Sequence, residues 1–350
     1  MIELTRIAVI GCGRWGPHHI RNFNSLQEAK VVTVVDSDPA RLAHVCDLYT
    51  GIGYRTDCRG VFEDPQVDAV VVATPTSTHY ELVHEALMAD KHVLCEKPLC
   101  KTSEQAIELA ELARSRDRIL MVGHVFLFNS GIAKLKEIID SGTLGEMYYM
   151  SAVRTNLGPI RDDVDVAYDL ATHDISIFNW LLGSEPESVS ATGGSFIQPG
   201  IEDAVFLSLK YPGNVIANIQ ASWLNPKKVR QITTVGSKKM VTWDDLDLNT
   251  PVAIYDRGAN AKNGHGDYGE FLRISMWDGD VSLPKVRVDE PLKSQNKYFL
   301  DAIERGTVER SDGKFAVGVM KVLEATSESL KRDGSSVQIV SAVPDPVLTG

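Results

Sequence analysis

Five short apolar runs open the chain, each closed by a turn or polar residue: RIAVIGCG, AKVVTVVD, VDAVVVATP, KHVLCEKP and RILMVGH. Between them the apolar period lengthens to that of a helix, in PARLAHVCDLY, STHYELVHEALMAD and SEQAIELAELARSR. Runs of β-branched residues without polar alternation predict strands buried on both faces. Their alternation with helices predicts a parallel, doubly wound sheet. Ligands in such a sheet belong at the carboxyl ends of the strands. After about Gly123 the rhythm changes. A helix, SGIAKLKEIIDSG, leads into GEMYYMSAVRTN, and then PESVSATGGSF, DAVFLSLKYP, NVIANIQASWL, RQITTVGS and KMVTWDDL follow with turns in place of most helices. Strands in succession predict a large, mostly antiparallel open sheet in a second, α+β domain. The expected division is residues 1–123 and 124–350. Residues 251–285 are polar and aperiodic and read as a loop-rich excursion. Two helices, about 290–305 and about 314–332, are expected to close the chain.

One stretch breaks its own pattern. VDVAYDLATHDISIFNWLLG, residues 164–183, has Leu170, Ile177, Leu181 and Leu182 at helical spacing, yet Asp169, His173 and Asp174 sit among them. Four residues separate Asp169 from His173, so a helix brings both to one face. Such a pair can serve a core, a metal or an active site. No further His or Cys cluster completes a metal set, so no metal is expected.

Composition narrows the choices. With 350 residues, 43% of them hydrophobic, the chain is expected to form about two domains. A formal net charge of −11 argues against a nucleic-acid partner, which needs clustered Lys and Arg. No apolar run approaches the ~20 residues of a membrane helix. The first strand signal, Ile7 to Ile10, leaves no room for a signal peptide, and five cysteines without a C-x-x-C pair fit reduced thiols. A cytoplasmic protein is expected.

The first strand runs into VIGCGRWGPHH, where Gly11, Gly13 and Gly16 form G-x-G-x-x-G around Arg14 and Trp15. The motif alone is weak, but its setting between strand and helix is that of a dinucleotide site. The glycines let the backbone approach a pyrophosphate, which the helix N-terminus stabilises. Asp36 ends the second strand twenty residues after Gly16, where an acid accepts hydrogen bonds from ribose hydroxyls. That acid favours NAD over NADP, and Ser37 follows where an arginine would argue for NADP; Arg41 is the one contrary signal. The fourth strand ends in CEKP, which aims Lys97 over the ligand crevice, and Pro98 fixes the backbone beside it.

These stretches, together with VVVATPTSTHYELVHEALMADKHVLCEKPL, MVGHVFLFN, LGEMYYMSA and YDLATHDISIFNWLLG, resemble the glucose–fructose oxidoreductase / inositol 2-dehydrogenase / MocA (Gfo/Idh/MocA) family of nicotinamide-dependent dehydrogenases. The resemblance covers nearly the whole chain. It implies a Rossmann domain followed by an open-sheet α+β domain, with nicotinamide and substrate at their interface. It implies Lys97, Asp169 and His173 as the catalytic set, and Thr74, Pro75, His79 and Glu96 as cofactor neighbours. It also implies a homodimer or homotetramer through the open sheet. One departure stands out: where the family often has an Arg-Phe-x-Pro-like segment, this chain reads Phe126 to Ser130, with Leu127 in place of the arginine.

Oxidising a secondary alcohol needs a base for the hydroxyl proton and a positive group against the oxygen. His173 suits the first role and Lys97 the second, although the two could trade. Asp169 could orient the substrate or hold Lys97 charged. Ahead of the helix, Arg154, Asn156 and Arg161 could meet a phosphate or carboxylate. That segment is similar to the family branch that oxidises the 3-hydroxyl of UDP-linked N-acetylglucosamine or its uronate for surface polysaccharide. The reading is therefore an NAD-dependent sugar dehydrogenase acting on a nucleotide-linked sugar. Its rivals are an inositol or free-sugar dehydrogenase or ketoreductase, and a non-catalytic NAD-binding sensor or scaffold.

Overall fold

The computed structural model describes residues 4–262 and 273–340. Strands β1 (Thr5–Ile10), β2 (Ala29–Val35), β3 (Gly53–Arg55), β4 (Ala69–Val72), β5 (His92–Glu96) and β6 (Leu120–Gly123) alternate with helices α1 (Gly16–Asn24), α2 (Pro39–Leu48), α3 (His79–Met88) and α4 (Ser103–Ser115). All six strands pair in parallel, in the order β3-β2-β1-β4-β5-β6. β4 and β6 are buried along their whole length, as unbroken apolar runs require of a sheet covered on both faces. The order reverses between β1 and β4, so the ligand crevice of this sheet opens beside the Gly11 and Thr74 loops. Five of the strands are the five apolar runs. The sixth, β3, is three residues long with no buried side chain, too short to carry a pattern. Local chemistry starts the helices: Asp38 accepts from the Ala40 N–H at 2.9 Å ahead of Pro39, and Thr102 accepts from the Gln105 N–H at 3.2 Å.

Further along come α5 (Ser130–Asp140), β7 (Met147–Leu157), a π-helical turn (Ala167–Ala171) leading directly into α6 (Thr172–Leu182), and then β8 (Ser188–Gly194), β9 (Ala204–Tyr211), β10 (Val215–Ser222), β11 (Leu224–Gly236), β12 (Met240–Asp244), β13 (Val252–Lys262) and β14 (Arg273–Ser282). Helices α7 (Pro291–Arg305) and α8 (Gly313–Lys331) and the short β15 (Val337–Gln338) follow. The second sheet has the order β14-β13-β12-β11-β7-β10-β9-β8-β15; β7 and β10 are parallel and every other pair is antiparallel. Along β9 the side chains alternate, with Val205, Leu207, Leu209 and Tyr211 buried and Phe206, Ser208 and Lys210 exposed. One face is therefore core and the other open. Helix α5 packs on β12 and β13, and α6 packs on β7.

Two expectations change. The excursion expected over 251–285 contains a strand pair, β13 with β14, joined through residues outside those described. Polar sequence concealed it because a hairpin at the sheet's end needs little burial: Met276, Asp278 and Asp280 are exposed. The compact units are also discontinuous, whereas the expected ranges, 1–123 and 124–350, were each contiguous. One unit is Met1–Asn129 with Asp289–Glu324, and the other is Ser130–Val288 with Ala325–Gly350. Helix α7 lies against α1, where Asn22 Nδ2 donates to Glu290 Oε1 at 3.0 Å, and α7 with the first part of α8 belongs to the first unit.

Candidate active site

The first unit supplies a nucleotide cradle. Gly11 sits at φ +97°, and a Cβ there would lie 2.6 Å from the Ala73 carbonyl oxygen. A Cβ on Gly16 would overlap the Gly11 carbonyl, so strand, loop and helix close only with glycine at both positions. Gly13 differs: a Cβ there would meet only Arg41 Nη1, at 3.7 Å. Its outward side is open, as the approach of a pyrophosphate requires. Asp36 is buried and ties the loops together, accepting from the Cys12 N–H at 2.6 Å and the Asp38 N–H at 2.8 Å. Arg41 reaches to 3.9 Å from that carboxylate and 3.5 Å from Asp38, with half its side chain exposed. Ser37 and Arg14 are exposed, and the Arg14 guanidinium lies 5.8 Å from the Trp15 ring centroid. The residues present fit a dinucleotide whose adenosine ribose meets Asp36. Burial, with Asp36 nearby, pushes the Cys12 thiol up to about 12, so it is an inert wall of the cradle.

The next two strand ends are joined by His79. Its Nε2 lies 2.9 Å from the Thr74 carbonyl and its Nδ1 2.9 Å from the Pro98 carbonyl. Burial lowers its pKa, against the pull of those carbonyls. Thr74 Oγ1 accepts from Thr78 Oγ1 at 2.8 Å, and Pro75 is exposed ahead of α3. Glu96 is buried and lies 2.9 Å from His19 Nε2, and it accepts from the Lys97 N–H at 3.3 Å. Lys97 is half-buried, and its bond to Pro98 is cis. Glu96 and Gly123 are register partners, so Lys97 and His124 follow them on adjacent strands. Burial, with the Lys97 charge adding, pushes His124 down to about 3, and neither ring nitrogen has a hydrogen-bond partner among the described residues. His19 and His124 lay inside the quoted sequence stretches but were not singled out. The signal that could have flagged His19 is its position one turn into the helix after the glycine loop.

The second unit holds the other polar set. Asp169 lies in the π-helical turn and His173 in the first turn of α6, where it is 9% exposed. Asp169 accepts from Trp223 Nε1 at 3.1 Å and from Arg161 Nη1 at 3.3 Å. Arg161 also donates through Nε to Asp163 at 2.8 Å; its guanidinium holds the Asp163 carboxyl below its usual range. Arg154 is paired inside the unit: its Nε and Nη2 donate to Asp174 at 2.7 and 2.8 Å, and both side chains are 2% exposed. Asn156, half-buried, donates to the Gly158 carbonyl at 2.5 Å. Of the three residues expected to meet an anion, Arg161 keeps a half-buried guanidinium beside Asp169. Among the described residues no group of three His, Cys, Asp or Glu side chains is placed to hold a metal.

Comparison with known proteins agrees with this assembly. Residues 5–124 match the model described as an oxidoreductase family with an NAD-binding Rossmann fold, and residues 132–242 match a GFO/IDH/MocA C-terminal domain. Inositol 2-dehydrogenase 2 of Saccharopolyspora erythraea is 34% identical over 61% of this chain and 65% of its own length. Inositol 2-dehydrogenase of Rhizobium meliloti is 31% identical over 93% of this chain and 96% of its own. UDP-N-acetylglucosamine 3-dehydrogenase of Acidithiobacillus ferrooxidans is 29% identical over 74% of this chain and 79% of its own. A solved structure of that enzyme from the same organism superposes with a TM-score of 0.78 at 24% identity, covering 95% of this chain and 99% of the other.

Proposed function

The chain belongs to the GFO/IDH/MocA oxidoreductase family, whose NAD-binding Rossmann fold it carries, and from this we propose that it oxidises a secondary alcohol of a sugar or cyclic polyol to a ketone. The observation that carries the reading is Lys97 at the carboxyl end of β5, its backbone bonded to buried Glu96, in the same unit as the open Gly13 loop. NAD supplies the hydride acceptor. The protein's own part is to hold the alcohol and move its proton. The Lys97 ammonium donates to the substrate oxygen and stabilises the charge that grows there, while the His173 imidazole takes the hydroxyl proton. Asp169, fixed by Trp223 and Arg161, orients the same substrate.

Two substrate classes fit this machinery. A nucleotide-linked sugar, oxidised at its 3-hydroxyl, is supported by the Acidithiobacillus relative. A free polyol is supported by the commitment of Arg154 to Asp174 and of Asn156 to Gly158, and by relatives named inositol 2-dehydrogenases. The geometry favours the free ring, because all three anion-binding candidates are engaged within the unit, Arg161 with Asp163 and Asp169. Following NADH formation with inositols, free sugars and UDP-sugars separates the classes: turnover confined to UDP-sugars would overturn the preference. Lys97→Ala should lower kcat by at least ~100-fold, in line with loss of a donor that stabilises charge in the transition state. A Lys97→Ala protein with full turnover would refute the catalytic assignment, and NAD binding without turnover on any of the panel would favour a sensor.

A further inference from the structure

We infer that His19, held by Asn296, is a positioning residue for Lys97 and acts through the carboxylate of Glu96. The inference rests on the reading of Lys97 as a catalytic group. Glu96 is 8% exposed, and a carboxylate that far from water is tolerated only where donors reach it. Two do so here: His19 Nε2 lies 2.9 Å from Oε1, and the Lys97 N–H reaches Oε2 at 3.3 Å. Gly123 makes the room, since a Cβ on it would lie 3.1 Å from Cδ and from both carboxylate oxygens. One carboxylate thus clamps the backbone on which the Lys97 side chain is mounted.

His19 has no exposed surface, and its Nδ1 lies 3.1 Å from the Asn296 amide, which is also fully buried. The chain of contacts runs from α7 through α1 to the end of β5. If the Asn296 oxygen faces His19, Nδ1 carries a proton and the bond to Glu96 holds a second. If the amide nitrogen faces it, His19 is neutral with its proton on Nε2. In each arrangement a proton lies between Nε2 and Oε1, which is what keeps the carboxylate oriented. The arrangement parallels the outer-shell groups that orient a ligating or catalytic side chain without touching substrate. Three residues distant in sequence converge on one backbone amide next to the reacting lysine, and no other role is needed for a buried imidazole there.

The test compares His19→Leu, His19→Gln and Asn296→Leu with Lys97→Ala in the full-length protein. Loss of a hydrogen bond to a charged group predicts that His19→Leu lowers kcat by roughly tenfold or more while the KM for NAD changes less than threefold. His19→Gln, whose amide can donate from nearly the same position, should recover most of the rate. Asn296→Leu should give a smaller loss of the same kind. In a Glu96→Gln background, His19→Leu should add little further loss. A His19→Leu protein that melts earlier but keeps its kcat would overturn the inference, as would His19→Gln as impaired as His19→Leu. Full turnover by Lys97→Ala would instead refute the catalytic reading itself, so the two failures are distinguishable.

Discussion

Asp36 ties the cradle together by accepting from the Cys12 and Asp38 amides, and the NAD reading also gives it the ribose hydroxyls. Asp36→Ser should therefore raise the KM for NAD by at least tenfold, since a buried charged acceptor contributes about 1.5–3 kcal/mol. It should also lift the relative use of NADP, whose 2′-phosphate the carboxylate repels; unchanged cofactor ratios in steady-state kinetics would refute this. His124 gives a prediction with a pH sign. Its folded pKa, about 3, lies below the ~6.5 of an unfolded histidine, so below pH ~6.5 the unfolded chain binds a proton the folded one refuses. Stability must fall with acidity across that window, by about 1.4 kcal/mol per pH unit for this one residue. His124→Phe removes that share, and denaturant unfolding at pH 7 and pH 5 should show the variant losing about 2 kcal/mol less than the parent. Burial of His92, down to about 4, leaves both proteins some residual slope of the same sign. The buried Arg154–Asp174 pair carries a stability prediction. Arg154→Leu leaves the buried Asp174 carboxylate facing an apolar side chain and should cost about 3–5 kcal/mol in unfolding, with the Arg154→Leu, Asp174→Leu double variant costing less.

At the scale of elements, the glycine loop shows why a motif can be read directly from sequence. Gly11 needs a positive φ and sits against the Ala73 carbonyl, and Gly16 lies against Gly11. Gly16→Ala should abolish NAD binding in a fluorescence titration, because helix α1 must retreat from β1 to admit the methyl group. The parallel sheet was legible for a related reason: strands buried on both faces carry no polar residue to blur the run. Asp36 and Lys97 stand out in the sequence because each sits at the carboxyl end of an apolar run, while Glu96 enters only through the family resemblance. The setting of Arg154 is not legible locally, because its partner Asp174 lies twenty residues later in the chain. The 251–285 strand pair was missed because edge hairpins need no apolar alternation. The helix expected over 164–183 was close but not uniform. Its first part is a π-helical turn, which accommodates an extra residue, and this turn places Asp169 against Trp223 and Arg161. Deleting Ala171 should restore a plain α-helix and rotate Asp169 out of those contacts, with helical circular dichroism retained and turnover lost.

For the molecule as a whole, the homodimer or homotetramer that the family resemblance implies is tested at the open face of the second sheet. Tyr149 on β7 is paired in register with Ile216 on β10, and Gln220 on β10 with Phe206 on β9. Phe206 is 53% exposed, Ile216 50% and Tyr149 40%. Between them the face is carpeted with small polar groups, Ser151 Oγ donating to Asn218 Oδ1 at 2.8 Å, and Ser208 lies beside Asn218. Large apolar side chains set among short polar ones suit a flat surface that meets another flat surface, and a two-fold axis lets one such face meet its own copy. Homo-oligomer formation through this sheet is the expectation put to the test. With a net charge of −11, copies repel at long range, so association must come from buried apolar area and should strengthen as salt screens that charge. A Phe206→Asp, Ile216→Asp double variant places two carboxylates on the face of each copy while the buried partners Val205, Leu207 and Ala217 stay unchanged. Light scattering should then report a dimer or tetramer for the parent and a monomer for the variant, with NAD affinity preserved because the glycine loop lies in the other unit. A variant that keeps the parent's mass would place the assembly surface elsewhere, and a monomeric parent would overturn the expectation of assembly altogether.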